Sequence, residues 1–342
     1  MSSKVVYVVI IIVVALVAGF VLKRAIFAES FDWPTSGQKS LEKVSVADGE
    51  TEEIMITGGY RHSVLLEEIV GGGPEKDGIP SIDDPKFVDV REAEDYLDDT
   101  EPGISLTIGD TTRFYPFQIL VWHEIVNDTI DGKRVMVTFC PLCLTGVVFD
   151  PIVSGERVEF GTSGKLWNSN LVMYDRKTDS LWSQVLGEAI AGEKTGTKLG
   201  IIPWDQMKFG IWKQKYPNGE VLSRDTGATK FYGIDPYGDY YTNDKLLYSR
   251  VNNRDDRLIE KDNILGIVIN GKPKAYLVDA VRAAGGVEDD FSGEKIFLEY
   301  DKELDAIRIF RNNKDGEKER INPIPSFWFS WVAIYPNTEL YK

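Results

Sequence analysis

The longest unbroken apolar stretch is 5–22, VVYVVIIIVVALVAGFVL, with no charged residue. At ~1.5 Å of rise per residue a helix over this run spans about 27 Å, close to the ~30 Å hydrocarbon core of a bilayer. It lacks a polar face, so it does not read as a buried core helix. It is also longer than the ~7–15-residue core of a secretory signal, and Ile26-Phe27-Ala28 is a poor small-x-small cleavage site. The pattern predicts an uncleaved transmembrane anchor over 5–22. Lys4 on one side, and Lys23 with Arg24 on the other, leave its orientation balanced. Residues 23–59 are polar and aperiodic, which predicts a spacer, with the folded domain over 60–342.

Within that domain most segments alternate as strands do. ISLTIGDTTRFYPF predicts a hairpin around Gly109-Asp110, and LVMYDRKTDSLWSQ another turning at Arg176-Lys177-Thr178. KRVMVTF and LTGVVFDPIVSGERVEF read as strands. FQILVWHEIV (117–126) predicts a short helix, and DQMKFGIWKQKYP a helix stopped by Pro217. The aromatic C-terminus, SFWFSWVAIYPNTELY, predicts a buried closing strand. GGGPEKDGIPSIDDP (71–85) has three glycines, but no Lys-Ser/Thr follows as a phosphate cradle requires. It predicts a rigid connecting loop.

A shift of 161 residues aligns two parts of the chain without gaps. Residues 104–119 fall on 265–280, and 126–149 on 287–310, matching Tyr115 with Tyr276, Asp128 with Asp289 and Gly132 with Gly293. The expected fold class is therefore α+β and β-rich, with two related hairpin–helix–hairpin lobes (about 86–230 and 231–342) behind the N-terminal helix. His123, Cys140 and Cys143 fall opposite Ala284, Asp301 and Leu304. Reactive side chains thus belong to one lobe only.

A formal charge of −15, spread along the chain, excludes a nucleic-acid binder, which needs a basic face. The two cysteines are three positions apart, so no disulfide framework joins distant loops. Cys140-Pro141-Leu142-Cys143 sits between predicted strands, where a tight turn brings two sulfurs together as in a metal knuckle. A thioredoxin-type pair would instead open a helix. His123 is the expected third ligand and Met173 a fourth, with Glu124 orienting the imidazole. Thiolate, imidazole and thioether favour copper; a carboxylate or water in the set favours zinc or iron.

The expectation is thus a membrane-tethered metal-binding protein, serving metal delivery or electron transfer. A thiol–disulfide oxidoreductase using the CxxC pair and a non-catalytic surface scaffold are the alternatives. A zinc-deaminase site is excluded because His123 and Glu124 are adjacent and proline lies inside the CxxC. A serine triad is excluded because Lys165 stands where a nucleophile elbow needs glycine. Asp175 and Trp182 line a pocket or close a polar hairpin. Asn127-Asp128-Thr129 matches a glycosylation sequon.

The blocks RFYPFQILVWHEIVND, VTFCPLC, SGKLWNSNLVMYDRKTDSLW and FWFSWVAIYPNTELY together resemble the domain of unknown function 3179 family, from about residue 60 onward. The resemblance implies an exported or membrane-anchored protein with its domain outside the cytoplasm, and no settled activity. It carries over His123, Glu124, Asn127, Asp128, Cys140 and Cys143. From the following hairpins it adds Ser163, Gly164, Asn168, Met173, Tyr174, Asp175, Ser180 and Trp182. Leu144 departs from the small residue such proteins often have after the second cysteine, and the stretch from Gly316 to Pro325 is short.

Overall fold

The computed structural model describes residues 33–34, 37–45, 51–248, 250–313 and 316–342. The expected anchor, 5–22, lies outside them. No helix among the described residues is long and apolar enough to cross a membrane. The domain is strand-rich, built from an eight-stranded sheet, several smaller and mostly antiparallel sheets, and helices of four to seven residues.

The hairpin Pro102–Ile108/Thr111–Pro116 turns at Gly109-Asp110 as expected. Asp205–Lys208 flanks it antiparallel on one side and Glu220–Leu222 parallel on the other. Both faces are covered: Ile104, Leu106 and Tyr115 enter one core, Phe114 another. The chain then forms a second sheet, in which Lys133–Cys140 lies between Ile125–Ile130 and Thr145–Asp150.

The same strand order recurs later. Asn263–Ile269/Lys272–Leu277 is flanked antiparallel by Ile324–Phe327 and parallel by Glu339–Tyr341. Glu294–Asp301 lies between Gly286–Phe291 and Ala306–Asn312. In each case the antiparallel edge strand runs into a seven-residue helix, Phe209–Lys215 or Trp328–Ile334, before the parallel strand returns.

Four sequence expectations need correction. The helix over 117–126 is only Phe117–Leu120, because Ile125 and Val126 are β-branched and pair with Thr138 and Val137. The helix over DQMKFGIWKQKYP begins at Phe209, since Asp205–Lys208 pairs with 102–105; Tyr216 caps it before Pro217. The closing strand is largely the helix Trp328–Ile334; only Ser326-Phe327, which end the strand Ile324–Phe327, and Glu339–Tyr341 are extended. Apolar residues on every side are the mark of a helix buried all round, and Trp328, Trp331 and Val332 pack on Ile264 and Ala275. The spacer is also partly folded: Lys39–Ser45 and Thr51–Thr57 pair at the edge of an eight-stranded sheet, and Ile54 and Trp33 are buried.

That sheet runs on through the hairpin Phe160–Trp167/Asn170–Asp175 to Ile69–Gly71. A bulge falls at 163–164, where Gly164 has φ 71° and a Cβ would lie 2.3 Å from the Pro74 carbonyl. The close approach lets the 72–80 loop bond along the strand, Gly72 N–H to Gly164 O and Asp77 N–H to Thr162 O. Thr162 Oγ1 donates to Ile79 O at 2.6 Å, which places the Pro80 carbonyl beside the next element, the turn at His123. Tyr237, Tyr240, Tyr241 and Leu246, from the stretch expected to open the second lobe, pack on the core around Cys140 and Cys143.

Candidate functional site

Cys140 ends one strand and pairs with Thr145 on the next, so residues 141–144 close a tight turn. Leu144 holds φ 52°, a left-handed conformation that suits glycine better than a branched side chain. The turn sets the two free thiols 3.0 Å apart, sulfur to sulfur, both fully buried.

Their surroundings differ. Burial pushes the Cys140 thiol well up, and its partner Cys143 and the nearby Glu124 push it further. Burial also acts against Cys143, yet hydrogen bonds from Cys140, Ser330 and Asn170 outweigh it and bring that thiol below its ordinary value. Asn170 Nδ2 donates to Cys143 Sγ at 3.3 Å and to Gln184 Oε1 at 3.1 Å, and its Oδ1 accepts from Val185 N–H. Ser330 Oγ is fully buried and meets no partner at standard hydrogen-bond geometry, so its contribution to Cys143 is the looser one. In its thiol form Cys143 donates to Ser169 O at 3.2 Å.

Glu124 is the third group acting at the thiols. Its backbone takes φ 58° three turn residues after the helix Phe117–Leu120, and its carbonyl accepts from Phe139 N–H at 2.8 Å. The side chain is buried, and its charge bears on Cys140, Cys143 and Tyr237. Burial alone raises this carboxyl to about 8. The glutamate was expected to orient His123; it bears on the sulfurs instead.

His123 is occupied elsewhere. Nδ1 donates to Pro80 O at 2.6 Å, so Nε2 is the acceptor for Tyr232 Oη at 2.5 Å. Burial lowers the imidazole pKa, Lys230 adds to the effect, and the Pro80 carbonyl opposes it. The ring is thus neutral with both nitrogens engaged, and no lone pair remains for an ion held by the sulfurs. Among the described residues no group of three or more His, Cys, Asp and Glu is placed to hold a metal ion.

A family model described as "Protein of unknown function (DUF3179)" matches residues 76–338. The chain belongs to the DUF3179 family. No curated protein matches it. No solved structure matches it either.

The family-motif residues divide into two groups. Met173 and Trp182 share the buried cluster of Cys140 and Cys143. The others fasten the scaffold. Asn127 Nδ2 donates to Phe160 O and Asp83 Oδ1, tying two sheets together. Asp128 accepts from Arg113 and Tyr115. Ser163 Oγ donates to Val172 O across the bulge, and Asn168 Oδ1 accepts from Asn252 N–H. Asp175 accepts from Thr178 N–H and Trp182 Nε1, which closes the hairpin, and it also lines a small cavity with Thr178 and Lys194. Sequence reading missed Asn170, which touches Cys143. The only available signal was that Asn168 and Asn170 stand together in the W-N-S-N hairpin turn.

Proposed function

We propose that the chain is a thiol–disulfide exchange protein with Cys140 and Cys143 as the working pair, held at a membrane by residues 5–22 with its domain on the outer side. The observation that carries this reading is the sulfur pair itself: two free thiols 3.0 Å apart, one above and one below the ordinary value. A thiolate attacks and a thiol of higher pKa waits, the division of labour that exchange uses. Cys143 as thiolate attacks one sulfur of a partner disulfide and displaces the other as a thiolate, which takes a proton. Cys140 then gives its proton to Glu124 in its ionised form, which prevails above about pH 8, attacks Cys143 Sγ and releases the second partner thiolate, which is protonated in turn. One disulfide is consumed and one formed, with two partner thiols released.

The test is equilibration of the full chain in glutathione redox buffers, followed by mass spectrometry of trapped thiols. Reversible loss of two free thiols supports the reading. Thiols that stay reduced across the oxidising range overturn it.

The metal reading keeps one supporting observation, the presence of Met173 in the same cluster as the two sulfurs. Elemental analysis of wild type against Cys140→Ser/Cys143→Ser separates it from exchange. Stoichiometric copper or zinc lost in the variant favours the metal; metal-free wild type removes it.

We also read the two lobes as copies of one unit, of which only the first kept chemistry. The shared strand order supports this, as does a matched trio. Arg113 and Tyr115 hold Asp128, and 161 residues on Lys274 and Tyr276 hold Asp289. Where the first unit has Cys140, the second has Asp301, whose carboxylate accepts from Glu303 and Leu304 N–H and closes the equivalent turn.

A further inference from the structure

The sulfurs of the proposed exchange are sealed, with Cys140 1% and Cys143 0% exposed. Much of what covers them is one stretch, residues 223–248. It contains no strand and only the single 3-10 turn Tyr240–Thr242. Irregular runs longer than ~12–15 residues are uncommon inside compact domains and are usually lids or binding loops.

This stretch lies on the site through aromatic rings. Tyr240 is buried, and Tyr237 and Tyr241 pack beside it against the sulfur cluster. The three rings contact one another, with centroids 5.6, 6.2 and 6.5 Å apart. Three tyrosine hydroxyls fasten it: Tyr248 Oη donates to the Gly72 carbonyl, and the other two act at either end of the site. Tyr240 Oη donates to the Leu142 carbonyl at 2.7 Å, inside the CxxC turn. Tyr232 Oη donates to His123 Nε2, on the residue before Glu124. Held by side chains rather than by a strand ladder, the stretch can lift without disturbing any sheet.

We propose that residues 223–248 are a lid that opens locally to admit a partner disulfide to Cys140 and Cys143, latched by Tyr232 on His123 and by Tyr240 on the CxxC turn. Its purpose rests on the exchange reading; its test does not. The assignment also gives His123 a role: it latches the cover.

The experiment is thiol labelling of the reduced full chain with an aromatic disulfide reagent, across denaturant concentrations below the unfolding transition. Local opening predicts labelling with a much shallower denaturant slope than global unfolding. Tyr232→Phe and Tyr240→Phe keep the rings and lose the latches. Each is expected to speed labelling about three- to tenfold, the usual worth of one hydrogen bond, with the unfolding midpoint nearly unchanged. Labelling that shares the slope of global unfolding, or that proceeds at the wild-type rate in both variants, overturns the lid. A chain that labels through local opening but never cycles its disulfide in glutathione keeps the lid and sinks the exchange reading.

Discussion

Glu124 holds φ 58° and Gly285, 161 residues further on, holds φ 73°. Gly285 directly follows the helix Val278–Ala284, Glu124 follows Phe117–Leu120 by a three-residue turn, and each leads into a strand, at Ile125 and Gly286. The second site gives a left-handed position to the residue that tolerates it, whereas the first imposes it on a buried acid. A left-handed conformation costs a side-chain-bearing residue about 1–2 kcal/mol, so the acid is kept against a local preference.

Replacing the acid by glycine is therefore expected to be tolerated. Glu124→Gly removes the backbone strain, and the entropy that glycine loses on folding offsets about half of the gain. Denaturant unfolding at pH 8 is expected to show a variant at least as stable as wild type. A loss of more than about 2 kcal/mol would mean that the side chain is a packing element.

Glu124→Gln tests the acid by pH. Burial raises the folded-state value to about 8, whereas the unfolded chain ionises in the ordinary carboxylate range. Between those values the native state holds a proton that the unfolded state has lost. The stability contributed by this group is whole below the ordinary value and is lost as pH rises to about 8. Wild type relative to Glu124→Gln should thus weaken steadily from pH 5 to pH 8, by an amount on the order of a few kcal/mol. Parallel pH profiles of the two proteins would refute the assignment.

Asn170→Ala removes a donor from Cys143 and strands Gln184 and the Val185 amide. The ultraviolet thiolate signal, titrated against pH, should shift to higher pH, accompanied by about 1–3 kcal/mol of destabilisation. An unmoved titration would show that Ser330 and Cys140 suffice.

The matched trios offer a direct comparison. Asp128 is almost fully covered and takes a two-oxygen contact from Arg113, whereas the Asp289 side chain is 20% exposed beside Lys274. Arg113→Ala leaves a buried carboxylate uncompensated and is expected to cost about 3–5 kcal/mol. Lys274→Ala should cost clearly less, because water reaches its partner. Equal losses in chemical denaturation would contradict that ordering.

The sequence showed where the sulfurs meet, because β-branched residues on both sides of Cys-Pro-Leu-Cys allow a turn between strands and little else. It misassigned the two residues before Ile125. A helix continued to Val126 puts His123 on the inner stripe with Leu120. The actual helix stops at Leu120 and the left-handed turn at Glu124 redirects the chain, so that the glutamate bears on the sulfurs and the histidine on the lid. The clue was available in the 161-residue self-alignment of the sequence, where Gly285 stands opposite Glu124. The lid had no such clue, because tyrosines at irregular spacing carry no period. The edge strand Lys39–Ser45 was missed because residues 39–43 are exposed on both faces, which reads as polar spacer, and Thr51–Thr57 because its apolar part, Ile54–Ile56, is too short to show a period.

Trp33 is the first described residue and is already part of the folded body: its ring is buried against Tyr60, and its Nε1 donates to the Ile69 carbonyl. Ten residues, 23–32, separate it from Leu22, a reach of at most about 35 Å when fully stretched. If Val5–Leu22 is embedded in a bilayer, the tether is a short leash. Any disulfide-bearing client must then be met within one protein's diameter of the lipid headgroups, which favours neighbours seated in the same membrane over proteins diffusing freely above it.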